Sequence, residues 1–431
     1  MLIHAEYAWL GASTVTGGVA VEVEDGTIVS VGGSTNKTAD VTLGGILIPG
    51  TVSAHSHAFH RRLRGRTQGE GGDFWAWREA MYRLAADLTP EAYEDLAAVV
   101  FGEMLRSGIT AVGEFHYLHH QPDGTPYLEP NMMGMALVRA AERSGIRLTL
   151  IDALYLTSGA DGAPPLPDQT RFSDGNIEAW EERARAMASR VQGKPTVALG
   201  VAAHSVRAAT PNDLARVADL ASDLDLPLHI HLSEQPAEND ECLAAHGVTP
   251  TGLLAATGFL SERTTLVHAT HTNANDRELI SGSGAGVCLC PTTEADLGDG
   301  IGPAAEYAAS GVPLSLGSDS NAVIDIFEEM RRVEHHDRLR LGRRGVHQPG
   351  DLLRAATVGG MRALGWADGG IITAGAPADL VVVDPDSDDL RGIDEDHAVA
   401  AIALAATRAS VTDVFVNGEH VVRDGSLATS S

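Results

Sequence analysis

"LIPGTVSAHSHAFHRRLRG", residues 47–65, is the stretch from which the rest of the chain can be ordered. The apolar run Gly45-Ile46-Leu47-Ile48, closed by Pro49-Gly50, has the composition of a short buried strand followed by punctuation. Just beyond it His55 and His57 stand two apart, and on extended backbone residues i and i+2 face the same way. Two imidazoles side by side are how a protein begins a metal site. They are also how two surface histidines can fall, so the pair alone leaves both readings open.

Outward from this stretch, the pattern repeats. After "GGILIPG" come "GITAVGEFHY", "RLTLIDALY", "TVALGVAAHS", "LPLHIHLSE", "TTLVHATH", "GVCLCPTTE" and "VPLSLGSDS", eight strand-like runs in all. Between them, stretches such as "PEAYEDLAAVVFGEMLRSG" and "NMMGMALVRAAERSG" carry helical spacing and end in Ser-Gly, a C-cap signal. Eight strands alternating with helices predict an α/β fold, a (β/α)8 TIM-type barrel over residues 46–370. The two ends read differently. Short β-prone runs separated by Gly and Asp fill residues 1–45, and they return in 371–431, where Asn417-Gly418 is a hairpin signal. The expectation is a small β-sandwich domain built from both termini.

The chain has 431 residues, enough for a barrel with an appended domain. Lys+Arg 31 against Asp+Glu 58 leaves a formal net charge of −27, which argues against nucleic acid and anionic membranes as partners. An acidic substrate would be repelled at long range and would need local arginines to capture it. The three cysteines, Cys242, Cys288 and Cys290, together with an N-terminus that does not resemble a signal and no run long enough to span a bilayer, point to a reducing cytoplasm. Cys288 and Cys290, two apart in an apolar run, are expected as core thiols.

In a barrel of this kind the active site lies where the strands end, because the loops there converge on one mouth. Each relevant strand ends in chemistry: His55 and His57 on the first, His204 on the fourth, His231 and Glu234 on the fifth, His268 on the sixth and Asp319 on the eighth. His55, His57, His231 and Asp319 make an N3O set suited to one Zn2+ per chain, with Fe2+ or Mn2+ as alternatives. A catalytic zinc lowers the pKa of bound water to about 7, and Asp319 can accept the proton that water loses. Glu234, just past the strand end, is placed to shuttle a proton between water and leaving group. His229 lies one layer deeper and is read as a core residue, and the adjacent histidines His119-His120 and His335-His336 as loop or helix-surface residues. Lysine is confined to Lys37 and Lys194, neither at the end of a middle strand, so a lysine-bridged pair of metals is excluded by inventory.

The order H-x-H, then H-x-x-E, then a histidine on the next strand, then S-D resembles the amidohydrolase superfamily in its mononuclear deaminase branch. "IPGTVSAHSH" and "AGAPADLVVVD" extend the likeness over nearly the whole chain. Within that branch "SHAFHRRLRG", "FWAWREAMYR", "GEFHYLHHQPDG", "AAHSVRA" and "HIHLSEQPAENDEC" are similar to the formimidoylglutamate deiminases of histidine degradation. The resemblance implies a zinc-dependent homodimer that hydrolyses N-formimidoyl-L-glutamate to N-formyl-L-glutamate and ammonia. It also implies metal ligation by His55, His57, His231 and Asp319, a catalytic pair of Glu234 and His268, and substrate contacts at Arg78, Tyr117, His204 and Arg207. One departure stands out: His60 occupies a substrate-contact position where the family usually has Gln, and an imidazole cannot present the amide's paired donor and acceptor. Arg78 and Arg207 agree with the chemistry, since guanidinium groups grip carboxylates bidentately. The alternative left open is a related deaminase acting on another formimidoyl acid or on a heterocyclic amine such as guanine.

Overall fold

The computed structural model describes residues 1–33, 38–67 and 74–428. Eight parallel strands follow one another in chain order around a barrel: β1 (Thr51–Ser56), β2 (Ile109–His116), β3 (Arg147–Leu154), β4 (Val197–Ser205), β5 (Leu228–Leu232), β6 (Thr264–His268), β7 (Gly286–Leu289) and β8 (Leu314–Leu316). Every residue of β2 and β3 is buried, as parallel strands covered by helices require. Several of the helices between them begin where the sequence supplies a cap. Thr89, Thr210 and Thr249 each precede a proline and accept a backbone N–H of the following turn, and Asn273 does the same with Asp276. Gly145 closes the helix Met132–Ser144 in the left-handed conformation at φ 83°, the Ser-Gly stop read from the sequence.

The first barrel strand is the run after Pro49-Gly50, not the run before it. Val41–Pro49 belongs to the second sheet, between Leu2–Ala8 and Leu380–Val383, and the chain passes through Gly50 into β1. The reason is steric: a Cβ at Gly50 would lie 2.1 Å from the Thr110 hydroxyl oxygen, so glycine here permits a close pass where a turn was expected. The remaining seven runs each hold the strand expected of them.

The second sheet also has eight strands, five contributed before and after the barrel by Leu2–Ala8, Thr16–Glu24, Thr27–Gly33, Val41–Pro49 and Leu380–Val383, with three more from the C-terminal end. Hydrogen bonds run through all eight as one sheet, and Ile3, Val21, Val23, Leu43, Leu47, Val382 and Phe415 form its own core. Asn417 and Gly418, both at positive φ, make the predicted hairpin between Val411–Val416 and Glu419–Arg423. A buried bidentate ion pair fastens this sheet to the barrel: Arg147, at the start of β3, meets Asp379 at 2.7 and 3.0 Å. Ala398–Leu404 leaves the sheet and packs on the barrel helices Ile326–Leu341 and Pro349–Arg354.

The barrel closes between β8 and β1 through an isolated bridge. The parallel bridge joins Ser56 to Asp319, with His57 N–H donating to the Asp319 carbonyl at 2.9 Å and Asp319 N–H to the His55 carbonyl at 3.0 Å. The seam is therefore stitched at the mouth by the residues singled out as metal ligands. Among the described residues no helix is long and apolar enough to cross a membrane, and all three cysteines are free and buried.

Candidate active site

His55 ends β1 facing His231 from β5, with their Nε2 atoms 3.0 Å apart. Two donors that close cannot both carry a proton toward each other, so the hydrogen bonds on the far nitrogens matter. His57 donates Nδ1–H to the Phe115 carbonyl at 3.1 Å, and His231 donates Nδ1–H to the His204 carbonyl at 2.8 Å. Carbonyls only accept, so both rings keep their Nε2 lone pairs for the interior, the tautomer a metal ligand needs. Burial pushes the pKa of His55, His57 and His231 down, which holds them as neutral imidazoles. Asp319 places Oδ1 3.5 Å from Nε2 of both His55 and His57. Burial alone would raise its pKa, but the facing His55 and His268 hold it below the ordinary carboxylate value. Donor atoms of His55, His57 and His231 lie within 4.8 Å of one another, and all these side chains are buried. By donor type and convergence the three imidazoles fit a metal ion, with the Asp319 carboxylate facing two of them at 3.5 Å.

Beside this set, His268 is gripped from three sides. Its Nε2 lies 3.6 Å from Glu234 Oε1 and 3.7 Å from Asp319 Oδ2, and its Nδ1 faces Glu294 Oε1 at 3.3 Å. Burial opposes protonation, yet the three carboxylates outweigh it and carry the His268 pKa well above the ordinary value. Burial raises the Glu234 pKa above the ordinary carboxylate value, with His268 and Arg207 opposing. His268 and Asp319 have φ of 69° and 40°, left-handed backbone that non-glycine residues adopt at a cost of about 1–3 kcal/mol each.

One narrow cavity of about 60 Å3 collects these groups with the residues expected to meet substrate. His60, Arg78, Tyr117, His204 and Arg207 all line it together with His57, His231, Glu234, His268 and Asp319. His60 hydrogen bonds the Tyr117 hydroxyl at 3.0 Å, and its ring centre is 4.5 Å from that of His57. Burial lowers its pKa to about 3, so it enters the cavity uncharged. Arg78 donates Nε–H to the Tyr82 hydroxyl at 2.5 Å. Arg207 donates Nε–H to Glu238 at 3.1 Å.

Trp77, Met81 and Tyr82 also line the cavity and were not anticipated, although with Arg78 they fall on one face of the helix Phe74–Ala86 at a spacing the sequence displays. Tyr155, at the end of β3, completes that wall. His229 behaves as expected, its Nε2 donating to the Ala363 carbonyl at 2.8 Å below the site. His335 is exposed on its helix, but His119 and His120 are not surface residues. Both are buried because Arg171 and Asp174 fold over them: the Arg171 carbonyl accepts both backbone N–H groups, and Asp174 Oδ1 lies 3.1 Å from His120 Nε2. Lys194 sits at the opposite end of the barrel, paired with Glu142, and Lys37 lies outside the described residues.

The chain belongs to the amidohydrolase family, whose model matches residues 46–421, and that family and the relatives below make it a hydrolase of C–N bonds. Formimidoylglutamate deiminase of Pseudomonas aeruginosa is 39% identical over 411 residues, covering 93% of this chain and 90% of the relative. An amidohydrolase from Brucella melitensis superimposes with a TM-score of 0.92 at 36% identity, covering 99% of this chain and 95% of that one. An adenosine deaminase from Xanthomonas campestris, solved with bound zinc, does so with a TM-score of 0.87 at 26% identity, covering 100% and 94%.

Proposed function

We propose that this chain hydrolyses N-formimidoyl-L-glutamate to N-formyl-L-glutamate and ammonia, with one Zn2+ held by His55, His57, His231 and Asp319. The observation that carries the reading is the presence of two arginines, Arg78 and Arg207, in the same narrow cavity as Glu234, His268 and Asp319. A substrate bearing two carboxylates beside a C–N bond to be cut matches that pairing, and a guanidinium is the group that binds a carboxylate through two parallel hydrogen bonds. Likeness to the Pseudomonas deiminase supports the same substrate.

When bound, zinc supplies the Lewis acidity that brings the pKa of water down to about 7. The chain's own residues do the rest. Arg78 and Arg207 hold the substrate carboxylates, which fixes the formimidoyl carbon next to Glu234 and His268. Glu234 takes a proton from the attacking water. A tetrahedral carbon then carries two nitrogens, either of which could leave. Glu234 returns the proton to the terminal nitrogen, so ammonia departs, while the arginine grip keeps the glutamate nitrogen away from the acid. His268, held between Glu234, Asp319 and Glu294, stabilises the oxygen on which charge develops. Formamide and free glutamate are not formed.

A second reading, another formimidoyl acid as substrate, is favoured by His60, whose imidazole stands hydrogen-bonded to Tyr117 at the substrate wall. A neutral heterocyclic amine such as guanine leaves the paired arginines without carboxylates to bind. Ammonia release measured across formimidoyl amino acids and purines tests all three. Formimidoylglutamate is expected to lead by kcat/KM, and a purine in that place would end the proposal. A homodimer in a reducing cytoplasm completes the proposal, the three buried free thiols supporting the reducing compartment. Size-exclusion light scattering at twice the chain mass is the expected result.

A further inference from the structure

Glu238 is a buried carboxylate that the chemistry above does not use. It occupies the third position of the helix Pro236–His246, whose N-cap is Gln235. A glutamate there ordinarily reaches back to the backbone N–H of the cap itself. This one reaches further. Its Oε1 accepts the N–H of Ser233 at 2.7 Å, and its Oε2 accepts Nε–H of Arg207 at 3.1 Å, from the loop that follows β4. Ser233 is the residue before Glu234 and has φ of 48°, a left-handed conformation that must be held from outside. The same turn is tied on its other side, where the Ser233 carbonyl accepts His271 N–H at 2.9 Å.

We propose that Glu238 is a positioning residue that locks the carboxylate-binding Arg207 against the turn carrying Glu234, so that substrate grip and acid–base group keep one fixed separation. The inference rests on the reading of Arg207 as a substrate ligand. A carboxylate suits the task because both its oxygens accept, and both partners are N–H donors. An amide has one acceptor and one donor, so Glu238→Gln satisfies Ser233 or Arg207 but opposes a donor to the other. Helix capping alone would need neither the second oxygen nor Arg207.

The test is a double-mutant cycle on the full-length, metal-loaded enzyme with Glu238→Gln, Arg207→Met and the pair, reading calorimetric binding of N-formyl-L-glutamate, melting temperature and metal content. Glu238→Gln is expected to weaken product binding about tenfold with metal content unchanged, and to change it less than twofold in the Arg207→Met background. Unchanged binding in Glu238→Gln, or the same loss in both backgrounds, overturns the proposal and leaves Glu238 as a helix cap. If Arg207→Met itself binds product normally, the carboxylate-binding role of Arg207 fails and the proposal with it. Should Glu238→Gln not fold, Glu238→Asp, which keeps the charge one methylene short, is expected to show the same pattern at a few-fold, and no loss there is equally fatal.

Discussion

Two buried, histidine-rich clusters stand on opposite sides of the barrel wall, and they are built on opposite rules. Behind β3, Asp152 and Asp174 face Arg183: the guanidinium meets Asp152 at 2.5 and 2.8 Å and Asp174 at 2.8 and 2.9 Å, while Trp180 Nε1 donates to Asp152 at 3.0 Å. Each carboxylate oxygen there has a short donor. At the mouth, Asp319 has imidazoles at 3.5–3.7 Å and the ring nitrogens of His55 and His231 face each other. Charge in the first cluster is spent on its neighbours; in the second it is held in reserve for something that comes from outside. Burial and histidine content alone do not separate a functional site from a structural one. Donor atoms converging beside a cavity do.

Four measurements would break or sharpen that contrast. The largest effect is expected at the mouth: Glu234→Gln should lose about 10^2–10^4-fold in kcat while retaining its metal, since an amide cannot carry the proton. A near-normal rate would remove Glu234 from the reaction. Next, Arg183→Ala in the wall should cost about 3–5 kcal/mol of unfolding free energy, because it strands two buried carboxylates, with kcat per folded molecule close to wild type. Loss of kcat without loss of stability would show that the wall is not merely structural.

The third effect is smaller and depends on pH. Burial would raise the Asp174 pKa, but Arg183 and the facing His120 hold it well below the ordinary value. A carboxyl with a depressed native pKa contributes stability above its unfolded value near 4, and that contribution is lost as pH falls through the native pKa. The stability difference between wild type and Asp174→Asn, from urea midpoints, should therefore shrink from pH 6 toward pH 3; a constant difference contradicts it. The smallest change is expected from His60→Gln, a few-fold shift in kcat/KM between formimidoylglutamate and its shorter homologue, formimidoylaspartate. Identical ratios would show that the imidazole does not set preference.

Much of the mouth was legible because strand alternation and barrel geometry convert local spacing into common direction. His55 and His231 are placed by the strands that carry them, and His57 and Asp319 lie just beyond the ends of β1 and β8, so their convergence follows from the fold. Glu238 and Glu294 were not legible, since what makes them matter is a partner 31 or 26 residues away, and a lone glutamate near a helix start has an ordinary reading. His119 and His120 were misplaced for a related reason. "HYLHHQPDG" has loop composition, and the segment that buries it, Arg171 to Asp174, arrives 51 to 54 residues after His120. At Pro49-Gly50 the error was of another kind, a turn signal at a place where glycine serves a close approach.

The seam at Ser56 and Asp319 gives the donor set a second office. A barrel whose eighth strand is three residues long has little ladder of its own with which to hold its first strand. An ion coordinated by His55 and His57 on one lip and Asp319 on the other would act as a rivet across that join, so that ligand affinity and ring closure become a single thermodynamic quantity. Chelation should then be felt first as breathing of the join: the amide protons of His57 and Asp319 are expected to exchange faster in the stripped protein, while those of β2 and β3, on the unbroken side of the hoop, keep their protection.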